Sequence, residues 1–192
     1  MKLDFAPLTP ARWPDLETIF GARGCSIARQ CWCMAYRESR ALRAPPPGMK
    51  RSEMNRAKLK SLVDGKRPPG LIAYRDKVPV GWVALGPRED FAVLQNSPVM
   101  KPVDDRPVWS VVCFVVPSEY RHQGIAQELL KGAVAYAGKQ GAKLVEGYPM
   151  DKRAKTRDEN LWFGTKSMFD RAGFKEIARR KPERPIVRRS VR

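Results

Sequence analysis

The 192-residue chain is short of several things at once, and each shortage excludes a class of protein. It holds one histidine, His122, so a multi-histidine metal site has nothing to work with. Its four cysteines, Cys25, Cys31, Cys33 and Cys113, do not form the pattern of a disulfide framework. Cys31-Trp32-Cys33 has one-residue spacing, unlike the usual zinc pair, and a site built on it would lack a fourth ligand, so no metal is expected. No apolar run approaches the length of a membrane-spanning helix. Met1 to Phe5 lacks the charged-then-apolar order of a signal peptide. The expectation is a cytoplasmic protein with no membrane partner. Internal repeats and low-complexity tracts are missing too.

Acidic residues are scarce beside the basic ones, 20 against 37, which leaves a net charge of +17. Such an excess suits a nucleic acid or an anionic small molecule. It peaks at Lys152–Arg157 and again at Arg179, Arg180, Lys181, Arg184, Arg188, Arg189 and Arg192. No aromatic platform or helix-turn-helix pattern accompanies these clusters. A solvated basic surface is therefore the favoured reading, with nucleic acid possible but not favoured.

What the chain does have is an alternating order of apolar runs and amphipathic stretches, consistent with one mixed α/β domain over residues 1–192. Strands are expected at Leu3–Leu8, Pro69–Tyr74, Val78–Leu85, Val108–Val116, Leu144–Pro149, Phe174–Arg180 and Pro185–Val191. Helices are expected at Ala11–Phe20, Arg51–Asp64, Ile125–Gln140 and Thr165–Ala172. In the second of these, Met54, Leu59, Leu62 and Val63 form the inward face. Residues 21–48, with Gly21, Gly24 and Pro45-Pro46-Pro47-Gly48, read as a long loop or lid holding one short helical piece; loops of that length are usually functional or mobile.

The most informative stretch is Val111-Val112-Cys113-Phe114-Val115-Val116 followed by Arg121-His122-Gln123-Gly124-Ile125-Ala126. A buried strand feeds a glycine turn that opens a helix. Backbone N–H groups at such a helix start form a cradle for phosphate or pyrophosphate. Gly124 permits close backbone approach, and Ala126 keeps the first turn thin. Within the strand, Cys113 reads as a small hydrophobe.

This stretch resembles motif A of the GNAT superfamily of acetyl-CoA-dependent N-acetyltransferases, whose signature is Gln/Arg-x-x-Gly-x-Gly/Ala, here Arg121-x-x-Gly124-x-Ala126. Ser167 to Phe174 resembles the family's final helix ending in Gly-Phe. The resemblance implies a mixed sheet whose central strands splay apart, helped by a β-bulge, and flanking helices. It also implies acetyl-CoA as acetyl donor, an amine acceptor on a small molecule or peptide, and direct transfer in a ternary complex. Phe114 and Val116 would present backbone to pantetheine. Arg121, His122, Gln123, Gly124, Ile125 and Ala126 would hold the pyrophosphate, and Phe169 would lie against the cofactor.

The family's usual acid and base positions depart from pattern. Where many relatives carry a Glu at the start of the central strand, this chain has Ser110; where many carry a proton-donating Tyr, it has Phe169. The usual Asn is replaced by Trp162, with Asn160 two residues away. Glu146 and Tyr148, on one face of the Leu144–Pro149 strand, are substitute base and acid, so Ser110, Glu146 and Tyr148 are the catalytic candidates. Glu146 reads equally as a structural partner for an arginine. Asp104-Asp105 could meet a cationic substrate, and Trp32 and Tyr36 could cover the acceptor or anchor the loop. O-acyl or longer-acyl transfer, a CoA-binding sensor and a nucleic-acid-associated module remain alternatives. Both monomer and homodimer are open.

Overall fold

The computed structural model describes residues 2–39, 44–151 and 161–191. Seven strands form one sheet in the order β1-β2-β3-β4-β5-β7-β6. They are β1 (Asp4–Pro7), β2 (Gly70–Arg75), β3 (Val78–Pro87), β4 (Trp109–Val115), β5 (Leu144–Gly147), β6 (Lys175–Arg179) and β7 (Pro185–Ser190). All neighbours are antiparallel except β4 and β5, which run parallel. The helices are α1 (Trp13–Gly21), α2 (Ser26–Cys31), α3 (Arg51–Val63), α4 (Ala92–Asn96), α5 (Ile125–Lys139) and α6 (Lys166–Arg171). This is the expected mixed α/β sheet flanked by helices. α2 is the short helical piece expected in the loop, whereas α4 falls within a connection that carried no helical period.

Each face of the sheet has its own apolar layer. On one side Leu16, Ile19 and Phe20 of α1 meet Trp82 of β3 and Trp32. On the other, α5 buries Ile125, Leu129, Leu130, Ala133, Val134 and Ala137 at helical spacing. Each fully buried Leu or Ile contributes about 1.5–3 kcal/mol, so this stripe fixes how α5 lies. The helix also comes close because β3 carries Gly81 beneath it, where a Cβ would lie 3.0 Å from both Ile125 and Leu129. In α3 the inward face is Met54, Leu59 and Val63, but Leu62 is exposed, because the helix packs one face on the core and leaves its outer side in water.

Two helices end in the same device. Gly141 follows α5 at φ 86°. Ala142 N–H then bonds Ala137 C=O at 3.0 Å and Gly141 N–H bonds Gly138 C=O at 2.9 Å. After α6, Gly173 stands at φ 77°. Phe174 N–H reaches Phe169 C=O at 3.1 Å and Gly173 N–H reaches Asp170 C=O at 2.9 Å. This is the Schellman arrangement. Its accompanying apolar contact is Phe169 on Phe174, with ring centroids 5.0 Å apart. The Gly173-Phe174 pair is thus a helix stop with a physical cause.

Candidate active site

The site begins where the parallel strands part. β4 and β5 pair only at Trp109 with Val145, Ser110 with Glu146, and Val111 with Gly147. On its other side β4 has a bulge: Ala84 pairs with Cys113 and the next residue, Leu85, with Val111, so Val112 is extra. A bulge bends its strand and strengthens its twist, and here it turns β4 away from β5. The opening is not an empty edge. Phe114 N–H donates to Trp162 C=O at 2.6 Å, Met150 N–H to Gly164 C=O at 2.9 Å, and Lys166 N–H to Met150 C=O at 2.9 Å. Residues 162–166 therefore bond to β4 and to Met150, just beyond the end of β5. Phe114 was expected to offer its backbone to a ligand; its N–H is instead used by the chain itself.

A cavity of about 490 Å³ lies along this opening. One end is the start of α5, with His122, Gly124, Ile125, Ala126 and Gln127 in its wall. His122 and Gly124 are both left-handed, at φ 59° and 77°. The first N–H groups of a helix have no partner within it, and they carry the positive end of its dipole. An anionic group is what this end suits. Arg171 of α6 also lines it and donates from Nε to Gln127 Oε1 at 3.3 Å, tying α6 to α5 at the mouth. The rest of the wall is Phe114, Val115, Val116, Met168 and Trp162 together with α2 and its flanks, Cys25, Cys31, Cys33 and Tyr36; the Gly24 end of α2 stands beside Arg121, close to the start of α5. No carboxylate stands among the described lining residues.

Trp32 and Tyr36 divide the roles left open for them. Trp32 is buried, stacked on Trp13 at 5.6 Å and tilted against Phe20 at 5.0 Å, so it anchors the segment to the core. Tyr36 lines the cavity and packs edge-on against Phe163 at 5.0 Å. Burial pushes its hydroxyl above the usual phenol range.

Ser110, Glu146 and Tyr148 come together, but in a closed polar cluster beneath the sheet. Tyr148 Oη lies 2.9 Å from Ser110 Oγ and accepts from Arg88 Nη1 at 3.0 Å. Arg88 Nη1 also donates to Glu146 Oε1 at 2.7 Å, while its Nη2 donates to Met100 C=O at 2.6 Å. Arg188 reaches Glu146 Oε2 at 3.5 Å and holds Asp104 by two bonds of 2.7 and 2.9 Å. Ser110, Glu146 and Tyr148 are fully buried. Burial pushes the Glu146 carboxyl up against the pull of Arg88 and Arg188. Burial, with the Glu146 charge beside it, also pushes the Tyr148 hydroxyl up.

The sequence profile of the acetyltransferase (GNAT) family matches residues 34–154, well over half of the chain. The chain belongs to the GNAT acetyltransferase family. Solved structures of low sequence identity share its fold. A protein from Desulfovibrio desulfuricans assigned to the GNAT acetyltransferases is 14% identical over 100% of both chains, with a TM-score of 0.55. An N-acetyltransferase from Staphylococcus aureus is 11% identical over 100% of both chains, with a TM-score of 0.52. An acetyltransferase from Thermus thermophilus is 16% identical over 99% of this chain and 97% of that one, with a TM-score of 0.51. No match is found among the curated proteins.

In this GNAT acetyltransferase the cavity gathers Phe114, Val116, Arg121, His122, Gly124, Ile125 and Ala126. Arg121, expected to add charge for a phosphate, serves as a strut: its Nε donates to Val116 C=O at 3.0 Å and its Nη2 to Gly24 C=O at 2.6 Å. Gln123 lies outside the described wall, with its amide bonded to Arg75 and to Glu119 C=O. Phe169 is also off the wall, because its ring fills the space over Gly147, where a Cβ would sit 2.0 Å from it. Ser110, Glu146 and Tyr148 do not line it either. Asp104, read as a substrate contact, holds Arg188.

Arg88, Arg171 and Gln127 were not singled out from sequence. Arg88 lies in a connection without period and carried no signal, whereas Gln127 and Arg171 were legible as first-turn and last-turn positions of the two helices that meet the cavity. Five arginines of the basic C-terminal cluster bond partners within the chain, although Arg179 and Arg180 stay exposed. Arg180 donates to the carbonyls of Lys101 and Pro102, Arg184 to that of Tyr148, and Arg189 to that of Ala172, while Arg179 pairs with Glu176 and Asp151. Lys152–Arg157, Asn160 and Arg192 lie outside the described residues. Among the described residues no helix is long and apolar enough to cross a membrane, and no three His, Cys, Asp or Glu side chains gather as a metal site.

Proposed function

We propose that this protein is an acetyl-CoA-dependent N-acetyltransferase acting on an amine of a small molecule or peptide, by direct transfer with both substrates bound. The observation that carries this reading is the cavity between the parted strands, with the start of α5 at one end. The left-handed Gly124 bares the first turn of that helix, and the residues present fit a pyrophosphate there. Acetyl-CoA, as donor substrate, supplies an activated thioester.

The N–H groups from Gly124 to Gln127 would hold the phosphates, and Val115, Val116 and Met168 would pack against the apolar arm. Phe114 N–H would exchange the Trp162 carbonyl for a pantetheine carbonyl, which resembles the addition of a strand to a sheet edge. Tyr36 and Trp162 give the cavity an aromatic wall, which favours an acceptor whose amine is borne on an apolar or aromatic body. Holding donor and amine side by side supplies much of the rate. The Ser110–Glu146–Tyr148 cluster is assigned a structural role, since each member is bonded away from the cavity. All four thiols are free, which suits a reducing, cytoplasmic setting.

The test is release of CoA thiol from acetyl-CoA across a panel of amines, with product mass analysed. Turnover with apolar or aromatic amines is expected. CoA binding without turnover on any amine, alcohol or longer acyl donor would favour the sensor reading instead, for which the absence of a carboxylate from the described wall is the supporting observation.

A further inference from the structure

All four thiols line the cavity described above, from α2 and its flanks and from β4. Cys33 is the one with built surroundings. Its Sγ accepts the indole N–H of Trp82 at 3.3 Å, and Trp82 is fully buried, so the core fixes this donor. The Cys113 thiol of β4 stands beside it and points its own S–H toward Phe114 C=O at 3.9 Å, and the buried Arg37 guanidinium adds positive charge. Trp32 and Cys33 both stand at positive φ, 45° and 53°. Ordinary side chains avoid that region, and it persists where the surroundings over-determine it, often at active sites.

The remaining titratable neighbours are thiols and a phenol that keep their protons. Contact with Cys33, together with burial, pushes Cys113 well up. Burial and the nearby Cys33 push Cys31 up to about 11. Burial raises Tyr36. Cys33 alone is held below the ordinary thiol range, by the Cys113 thiol, the Trp82 N–H and Arg37, in spite of burial.

Its position fits the reacting end of the cavity. α5 begins beyond Val116, and Cys113 lies three residues back along β4, about 10 Å at the usual rise per residue. That is the direction in which an arm held at α5 would extend. We propose that Cys33 is the proton-transfer residue of the acetyl transfer inferred above, a claim that rests on reading this cavity as the acetyl-CoA site. The Cys33 thiolate takes a proton from the acceptor ammonium, leaving a neutral amine and a Cys33 thiol. The amine nitrogen bonds to the thioester carbon, and the carbon–sulfur bond breaks as the carbonyl re-forms. Cys33 gives its proton to the departing CoA sulfur and returns to thiolate, and the new amide nitrogen loses its second proton to water. The sum is an amide, CoA thiol and one released proton.

The full-length protein would be alkylated with iodoacetamide across a pH series, with and without CoA, and each cysteine followed by peptide mass spectrometry. Cys33 should react at least about tenfold faster than Cys113 at neutral pH, since the thiolate is the nucleophile. CoA should suppress it. In Cys33→Ala, CoA should still raise the melting temperature, while turnover with an accepted amine falls about a hundredfold, the scale of general acid–base help. Cys33 labelling no faster than Cys113, labelling that saturating CoA leaves untouched, or Cys33→Ala turning over at the parent rate would each overturn the proposal. No CoA-induced thermal shift in the folded parent protein would overturn the cavity reading itself, and with it this claim.

Discussion

Glu146→Gln separates a catalytic carboxylate from a structural one. The substitution keeps the side chain's shape and one oxygen acceptor but removes its charge. Arg88, with only 8% of its side chain exposed, would then face a neutral amide. Breaking a buried pair by removing one partner costs about 3–5 kcal/mol. Three contacts argue for the low end. Arg88 retains its bonds to Tyr148 Oη and Met100 C=O, and Arg188 retains two bonds to Asp104. A loss of about 3 kcal/mol is expected. For a protein of this size each kcal/mol moves Tm by about 2–4 °C, so thermal unfolding followed by circular dichroism should show a drop of about 6–12 °C. The pH–rate profile should keep its shape, because the carboxylate is bonded away from the cavity. An unshifted Tm, together with a turnover loss that shrinks at high pH, would refute this reasoning and make Glu146 a general base.

Gly124→Val should leave the fold intact, since a Cβ there meets nothing within 4 Å, while the left-handed φ of 77° strains the turn by about 1–2 kcal/mol; differential scanning fluorimetry should show a folded variant whose CoA-induced shift is gone. Phe169→Tyr would bury a hydroxyl among Phe114 and Phe174, off the cavity wall, so urea unfolding should show a loss of about 1–3 kcal/mol with no gain in turnover. Asp104 is held below its usual carboxylate range by its bonds to Arg188, so the stability it contributes is present above its unfolded pKa and lost as pH falls through the depressed value; Asp104→Asn should flatten that acid limb in a pH series of Tm. Glu146 works in the opposite sense: burial raises its carboxyl against the pull of Arg88 and Arg188, so its charge is worth less to the fold than an unopposed pair, and this too sets the loss in Glu146→Gln at the low end. Hydrogen exchange with and without CoA should slow amides 124–127 and speed amides in 161–165, because pantetheine would displace the Trp162 carbonyl from Phe114 N–H.

Much of the architecture was legible because it rests on local signals. Alternating and continuous apolar runs located all seven strands, and the helical spacing of Ile125, Leu129 and Leu130 located α5. Gly124 and Gly173 marked a helix start and a helix stop through backbone conformation alone, which one residue type reports well. The site was legible where it is made of consecutive chain, from Val111 to Ala126, and in part at Cys31 to Tyr36, where Tyr36 lines the cavity and Trp32 does not. Strand alternation placed Glu146 and Tyr148 on a common face correctly, but it could not say that Arg88 and Arg188 wait on that face and close the cluster. That depends on where two distant arginines arrive. The same limit applies to Phe169, whose place over Gly147 is a packing fact, and to Trp162, whose carbonyl reaches Phe114 across the opening. What each arginine of the C-terminal cluster does was not legible either: arginines 179, 180, 184, 188 and 189 bond acceptors of the chain itself, and composition cannot count those.

The central claim is that the start of α5 and the cavity beside it hold acetyl-CoA, and titration calorimetry of acetyl-CoA into the parent protein and Gly124→Val tests it most directly. The parent should bind one equivalent, and at a ligand concentration of 100 Kd it should gain about 2.7 kcal/mol of stability. The folded variant should give no measurable heat of binding. A folded parent protein that takes up no acetyl-CoA, or a Gly124→Val variant that binds it as tightly as the parent, would contradict the account.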